Sequence, residues 1–343
     1  MFKNFSITFF FIALLASPVF LYPQVPELID SSVVQSENNK VNAEGLNFRF
    51  EKLQINKAKT PLFSFSEELN KKRLAAVLAT DAVLIGTSIY GLNELWYKNY
   101  ARSKFHLFDD SREWLQMDKL GHLEAAHIIT AYGYYSFRWA GMEKKEAALY
   151  GSAVSLAYMT AIEVLDGYST HWGFSLADMS ANILGTAFFA TQAYFFEERR
   201  VKLKISYHST RYASYRPEVL GSTAAERIIK DYNGQTQWLS VSAGLVMPKS
   251  TKVPKWLCVS VGYGAEGMLG GFSNPERNEK GETLPTFERY RQFYLSFDVD
   301  FAQVKTNKKW VRGLLLALNV IKVPCPTLEY NTKGEFKFHY LYF

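Results

Sequence analysis

Ionisable and polar side chains occur in two segments whose composition is otherwise that of apolar helices. The first segment, MDKLGHLEAAH, contains Asp118, Lys119 and His122. The second, EVLDGYSTHWGFSLADMSAN, contains four more, Glu163, Ser175, Asp178 and Asn182. Burying an ionised side chain in an apolar helix is costly unless the group is paired or binds something. These two segments therefore contain the candidates for a functional site.

The spacing of these residues predicts that three helices each contribute polar side chains to one place. Asp118 and His122 are four residues apart, so one face of a helix presents both. Asp178 and Asn182 have the same spacing on a later helix, and Glu163 lies near the end of the helix between them. We expect four of these side chains to converge, namely Asp118, His122, Glu163 and Asp178.

A cluster of one imidazole and several carboxylates could support three kinds of chemistry. Imidazole nitrogen and carboxylate oxygen are common ligands of divalent metals, which helical bundles often hold. A histidine or a carboxyl group with a raised pKa could move a proton, with His122 and Glu163 as the catalytic candidates. A satisfied polar network that fixes helix register is the third alternative. Lys119, Ser175 and Asn182 would support the site in each case.

Four helices are predicted between residues 66 and 200, with the short connections of an α-helical bundle. Their apolar runs cover residues 73–96, 119–141, 143–167 and 175–200. Ser66 and Glu68 suit the start of the first helix. Ser175 and Asp178 have the S-x-x-D spacing of an N-terminal cap, so Asp178 serves either that cap or the polar cluster.

The periodicity changes from about 3.6 to 2 after residue 200, which predicts an antiparallel β region over residues 201–343. The strand candidates are residues 201–209, 236–246, 256–264, 292–301, 314–323 and 335–343. Strands near ten residues long with a terminal aromatic residue resemble those of outer-membrane barrels, although six or seven are fewer than the usual minimum of about eight. The predicted fold class is α+β, with an N-terminal bundle and a C-terminal antiparallel sheet or partial barrel.

The N-terminal segment has the features of a secretory signal peptide. Residues 1–23 contain one lysine, then an apolar run shorter than a membrane span, then small residues and proline. We expect cleavage between Ser17 and Gln24, where no cysteine offers a lipoprotein anchor. Residues 24–65 should form a linker with one candidate strand, Leu46 to Ile55. The protein should be exported to the periplasm or outer membrane of a Gram-negative bacterium.

Composition narrows the classes of partner. Aromatic residues make up 16% of the 343 residues, which suits a protein that meets the lipid interface. The net charge of +6 is spread along the chain without a block of like charges, which argues against a nucleic-acid partner. We expect membrane lipid or an outer-membrane protein complex instead. Cys258 and Cys325 have no CxxC spacing, so a zinc–thiolate site is disfavoured and a disulfide is undecided.

Three sequence elements together resemble the YfiM-like family, a domain of unknown function in bacterial envelope proteins. They are D-K-x-x-H, a glutamate on the following helix, and S-x-x-D-x-x-x-N-x-x-G, here at Asp118, Lys119, His122, Glu163, Ser175, Asp178, Asn182 and Gly185. The same elements are similar, more distantly, to the VanZ-like membrane family. The resemblance covers about residues 116–190 and implies an envelope location and these site residues, without an established reaction.

The sequence therefore favours an outer-membrane-associated envelope protein with a structural or accessory role. It would act in assembly or maintenance of the outer membrane, as part of a larger complex, and a divalent metal is the cofactor its polar site would take. The alternative is a hydrolase or transferase acting on a lipid or peptidoglycan precursor. It is second because the sequence has no nucleophile elbow and no phosphate-binding glycine loop. A solvent-reached cleft over the polar cluster would distinguish the two.

Overall fold

A computed structural model of the chain describes residues 65–95, 101–196, 201–246, 252–278 and 280–342. The predicted signal peptide and the candidate strand Leu46 to Ile55 lie outside the described residues. The described part has a helical region followed by one six-stranded antiparallel sheet, so the predicted α+β class is confirmed.

Four long helices form the first region, close to the predicted positions. They are α1 (Lys71–Leu95), α2 (Met117–Trp139), α3 (Lys144–Gly167) and α4 (Leu176–Phe195). Helix α1 begins later than Ser66 because the side chain of Asn70 accepts hydrogen bonds from the backbone of Lys72 and Arg73. Helices α2, α3 and α4 all contact one another, and α1 packs against α2.

Glycines set the short distances between these helices. A Cβ atom at Gly185 on α4 would lie 1.9 Å from the carbonyl oxygen of Leu123 on α2. A Cβ atom at Gly133 on α2 would lie 2.8 Å from the Cα of Gly151 on α3. Because no side chain separates the backbones at these points, the polar side chains of α2, α3 and α4 can reach one another.

Among the described residues, two helices are long and apolar enough to cross a membrane by length and composition alone, α1 over Lys71–Asn93 and α3 over Lys144–Gly167. Helix α3 contacts both α2 and α4 and buries polar Glu163, as a core helix does. Helix α1 buries only 17% of its most apolar window.

The sheet is a meander whose strands follow their order in the chain. Its strands are β1 (Val201–Tyr207), β2 (Gln235–Ser242), β3 (Leu257–Glu266), β4 (Tyr290–Val299), β5 (Cys325–Asn331) and β6 (Phe336–Tyr342). Short helices join them: α5 (Pro217–Leu220), α6 (Ala224–Lys230), α7 (Ala243–Val246) and α8 (Lys309–Leu318). Five of the six predicted strand segments coincide with observed strands.

The strand prediction for residues 314–323 is wrong, because most of its leucine-rich part belongs to α8. A short apolar run has no periodicity that separates a buried strand from a helix, and leucine and alanine favour the helix. Strand β5 was missed for a different reason. Polar Thr327, Glu329 and Asn331 are buried and alternate with exposed Leu328 and Tyr330, but this alternating run is short and follows Pro326, which demotes a run as a strand candidate.

The sheet buries its polar face. Lys204 Nζ lies 2.8 Å from Asp298 Oδ2 with both side chains fully buried, and Lys202 Nζ lies 2.7 Å from Asp300 Oδ2. The sheet curls around this inner face, since the hydroxyl of Tyr342 on β6 lies 3.1 Å from that of Thr236 on β2. Other buried polar residues of the same face are Ser240, Ser260, Ser296 and Thr327.

The apolar side chains point outward and pair across strands. Leu295 on β4 lies between Val261 on β3 and Leu328 on β5, which is in turn opposite Phe338 on β6. All four are about half exposed. This outer face, which we define as Val261, Phe293, Leu295, Phe297, Leu328 and Phe338, is therefore an apolar surface that the described residues leave largely uncovered.

The bundle meets the sheet through the segment that precedes α2. Trp114, Leu115 and Gln116 all have left-handed backbone angles, with φ of 50°, 51° and 69°. Such angles are costly outside glycine and persist where surrounding contacts impose them. Here the hydroxyl of Tyr263 donates to the Leu115 carbonyl, and Arg291 donates to Gln116 Oε1 at 2.8 Å. The start of α2 is thus held against β3 and β4.

We expect Gly185→Ala to lower the free energy of unfolding by about 1–3 kcal/mol, because the new methyl group meets a backbone carbonyl and must push α4 from α2. Gly86→Ala on α1 is the matched control, since a Cβ there meets nothing within 4 Å. Urea unfolding measures both. An unchanged midpoint for Gly185→Ala would contradict the close approach.

Candidate functional site

Lys119 is the centre of one half of the polar cluster. Its ammonium nitrogen lies 2.7 Å from Asp110 Oδ2, 3.0 Å from Asp118 Oδ2 and 2.7 Å from Asp178 Oδ1. The four side chains are 7–11% exposed. One buried cation therefore joins the loop before α2, the first turn of α2 and the first turn of α4.

His122 is the centre of the other half, one turn further along α2. Its Nδ1 lies 3.3 Å from Asn182 Oδ1 and 3.5 Å from Glu163 Oε1, and its Nε2 lies 3.8 Å from Asp178 Oδ2. Asp178 thus faces both Lys119 and His122, one with each carboxylate oxygen. The structure brings together Asp118, His122, Glu163 and Asp178, and it places Lys119 between three carboxylates.

Ser175 connects the cluster through its backbone and side chain. Its hydroxyl accepts a hydrogen bond from the backbone N–H of Asp178 at 3.0 Å, which is the helix cap expected from the sequence. The same hydroxyl donates to Asp110 Oδ1, and the Ser175 N–H lies 3.4 Å from Glu163 Oε2. The backbone of Asp178 therefore serves the cap, and its carboxylate serves the cluster.

Two members of the cluster were missed in the sequence. Asp110 lies eight residues before Asp118 in an irregular loop, where no periodicity marks it. Tyr232 lies far along the chain between α6 and β2, and its hydroxyl donates to Asp118 Oδ1 at 2.7 Å. The acidic Asp109–Asp110 pair ahead of the helix was the available signal for the first. No local signal indicated Tyr232, because its partner is 114 residues away.

Burial and neighbouring charges shift the pKa values of the cluster. Burial raises the pKa of Glu163 to about 8 and that of Asp178 to about 7, although the charge of His122 opposes both shifts. Burial disfavours the charged form of His122, but the carboxylates around it outweigh this and raise its pKa. Burial also works against Asp110, yet hydrogen bonds and Lys119 hold its pKa below the usual value. The folded cluster therefore holds protons that the unfolded chain would release.

In the part of the chain that the structure describes, two overlapping sets of side chains have ligand atoms close enough to hold a metal ion. One set is Asp118, His122 and Asp178, and the other combines Asp110 and Glu113 with Asp118. The donors are of the right kind, oxygen and imidazole nitrogen. However, Lys119 contacts a carboxylate oxygen in each set and supplies the positive charge that a metal would bring. A metal bound here would compete with the ammonium group.

Two cavities of about 390 Å³ each open elsewhere, at the end of the sheet where β3 ends and β4 begins. They share His208, Glu266 and Tyr290 as lining residues, and no residue of the polar cluster lines either one. The ion-paired side chains of the cluster are 1–15% exposed, so the cluster is a largely buried network. This geometry suits a group that holds helices together better than one that receives a substrate.

Lys119→Met should lower the free energy of unfolding by about 3–5 kcal/mol, because three carboxylates lose their buried cation. Added Mg²⁺ or Zn²⁺ should restore part of this loss in the variant, since the carboxylates then lack a counter-ion. Denaturant titrations with and without the metal measure both effects, with exposed Lys144→Met as control. If EDTA destabilises the wild-type protein, a metal rather than the ammonium is the resident cation.

The pKa shifts predict a protein that becomes less stable as pH rises. Glu163 is an acid whose pKa is raised on folding from 4.5 to about 8, so its contribution falls between those pH values. Each proton held only by the folded state changes stability by about 1.4 kcal/mol per pH unit. Glu163→Gln removes one such proton and should flatten the curve between pH 5 and 8.

The matched control for this change is Glu146→Gln, an exposed carboxyl in the first turn of α3. Its stability curve should keep the wild-type slope. Unfolding midpoints measured across the same pH range in one denaturant compare the three proteins. A Glu163→Gln variant with the wild-type slope would mean that Glu163 is ionised in the folded protein.

A comparison with known protein families gives a match, and the matched segment includes most of the cluster. Residues 106–196 match the family described as predicted periplasmic lipoprotein (DUF2279). No curated protein and no solved structure matches the chain with significant similarity. The matched segment, about a quarter of the chain, contains Asp110 and all eight residues singled out in the sequence, and it excludes Tyr232 and the sheet. The match supports an envelope-associated protein, and the similarity to YfiM-like and VanZ-like proteins stays a prediction.

Proposed function

We propose that this protein is a structural or accessory component of the outer membrane, with its β region lying against lipid. The observation that carries the proposal is the inverted polarity of the sheet. Soluble sheets bury apolar side chains and expose polar ones. This sheet buries ion pairs such as Lys204–Asp298 and exposes side chains such as Leu295 and Phe338. Polar inside and apolar outside is the arrangement of sheets whose solvent is lipid.

The continuity of the outer face supports contact with lipid rather than the chance exposure of single residues. Its residues form continuous cross-strand rows on β3, β4, β5 and β6, with Phe293 and Phe297 above and below the row of Leu295. Single exposed apolar residues are common on soluble proteins, but a contiguous patch indicates a membrane or protein contact.

The height of the outer face indicates how deep it lies. Outward positions on β4 run from Phe293 to Val299, and the six steps between these residues, at roughly 3.3 Å each, give about 20 Å. The hydrocarbon core of a bilayer is about 30 Å thick. The apolar stretch is therefore too short to cross the core, and the β region would enter the membrane without spanning it.

The polar cluster would then fix the position of the bundle relative to the membrane. Lys119 joins α2, α4 and the loop before α2, and Tyr232 joins Asp118 to the sheet region. A bundle fixed in this way could present α1 and α4 to other envelope proteins, which fits a role in assembly or maintenance of the outer membrane within a larger complex.

Polar substitutions on the outer face should release the protein from membranes. We expect the triple variant Leu295→Asn, Leu328→Asn, Phe338→Asn to lose most of its binding to phosphatidylcholine vesicles in a flotation assay. Ile228→Asn on α6 is the control, because Ile228 is an aliphatic residue of similar exposure, 51%, outside the outer face. Circular dichroism checks the fold. A folded triple variant that floats as the wild type does would refute the proposed function.

A further inference from the structure

We infer that one end of the sheet is a docking site for an anionic membrane surface. We call this end the basic rim and define it as Lys252, Lys255, Trp256, Lys305, Lys308 and the exposed side of α8. The inference rests on the proposed function, because it names the class of lipid that the β region contacts. It also names the element of the protein that contacts the charged headgroups of that lipid.

Backbone contacts bring the parts of the basic rim together. The carbonyl of Trp256, just before β3, accepts a hydrogen bond from the N–H of Asp300, just after β4, at 2.7 Å. Asn319, at the end of α8, donates to Asp300 Oδ1 at 3.0 Å. Lys252, Lys255 and α8 therefore lie at the same end of the sheet, next to the end of β4 that carries Phe297.

Helix α8 has an exposed apolar stripe. Trp310, Leu314 and Leu318 follow one another at intervals of four residues and are 65%, 47% and 37% exposed. Leu316, on the other side of the helix, is buried. A helix with this spacing presents the three side chains on one face. An amphipathic helix whose apolar face is uncovered, with basic residues beside it, typically lies in the plane of a membrane interface.

The exposed charges of the basic rim are positive. Lys252, Lys255, Lys305 and Lys308 are all exposed. The acidic residues described at this end, Asp298 and Asp300, are buried and paired with Lys204 and Lys202. The exposed charge that the described rim presents is thus positive, and it complements anionic phospholipid or another anionic headgroup.

Two exposed tryptophans strengthen the assignment to a lipid surface. Trp256 is 42% exposed and Trp310 is 65% exposed, both at the basic rim. Tryptophan is enriched at the level of the headgroups, where its ring is half in lipid and its N–H remains hydrated. A protein partner with an acidic surface would account for the lysines but would not require an aliphatic stripe beside them.

Vesicle binding tests the basic rim with the full exported chain. The probes are vesicles of phosphatidylcholine alone and vesicles that also contain phosphatidylglycerol. The wild type should bind the anionic vesicles more tightly, with a preference that added salt weakens. Lys305→Gln with Lys308→Gln should weaken binding to the anionic vesicles about 30-fold, equivalent to about 1 kcal/mol for each lysine. Lys144→Gln with Lys145→Gln, an exposed pair on α3, should leave it unchanged.

A second variant tests the apolar stripe separately. Trp310→Ser with Leu314→Ser should weaken binding to both kinds of vesicle, because the helix loses its apolar contact. The inference is overturned if wild-type binding shows no preference for anionic vesicles, or if the rim variants bind as the wild type does while folded. In that case the outer-face triple variant still tests the proposed function by itself, since phosphatidylcholine has no net charge. Failure of the wild type to bind any vesicle overturns both.

Discussion

The structure depends on the need to neutralise one buried ammonium group. Lys119 has three carboxylate partners, and they come from the loop before α2, from α2 itself and from α4. Removing one partner of a buried ion pair leaves a charge that water cannot reach, so these elements are held in one arrangement. Asp118 extends the constraint to the sheet region, because it also accepts the hydroxyl of Tyr232.

The sheet also contains buried ion pairs. The Lys204–Asp298 and Lys202–Asp300 pairs lie on the face that the curled sheet encloses. Because the polar groups satisfy one another inside, the apolar side chains of β4 and β5 are left outside. Both regions of the chain thus keep ionic networks within, and the sheet exposes the apolar outer face that we propose contacts lipid.

The cluster and the sheet contribute differently to the function. The family match covers the cluster residues other than Tyr232, so the support for a periplasmic or envelope location comes from the bundle. The outer face and the basic rim lie beyond the matched segment, and they provide the membrane contact that we propose for this chain. Burial raises the pKa values of Glu163 and Asp178, so the folded bundle holds protons that the unfolded chain releases and should lose stability as pH rises.

The sequence by itself determined the four long helices, five of the six strands and the main site residues, because each has a local signal. Asp118 and His122, like Asp178 and Asn182, are one helical turn apart, and strands such as β4 alternate strictly. Only the tertiary structure placed Lys119 at the centre, added Asp110 and Tyr232, and turned the leucine-rich segment before β5 into α8. The positions of Lys119 and Tyr232 depend on partners distant in sequence, which no local pattern encodes, and a short apolar run does not by itself distinguish the helix α8 from a buried strand.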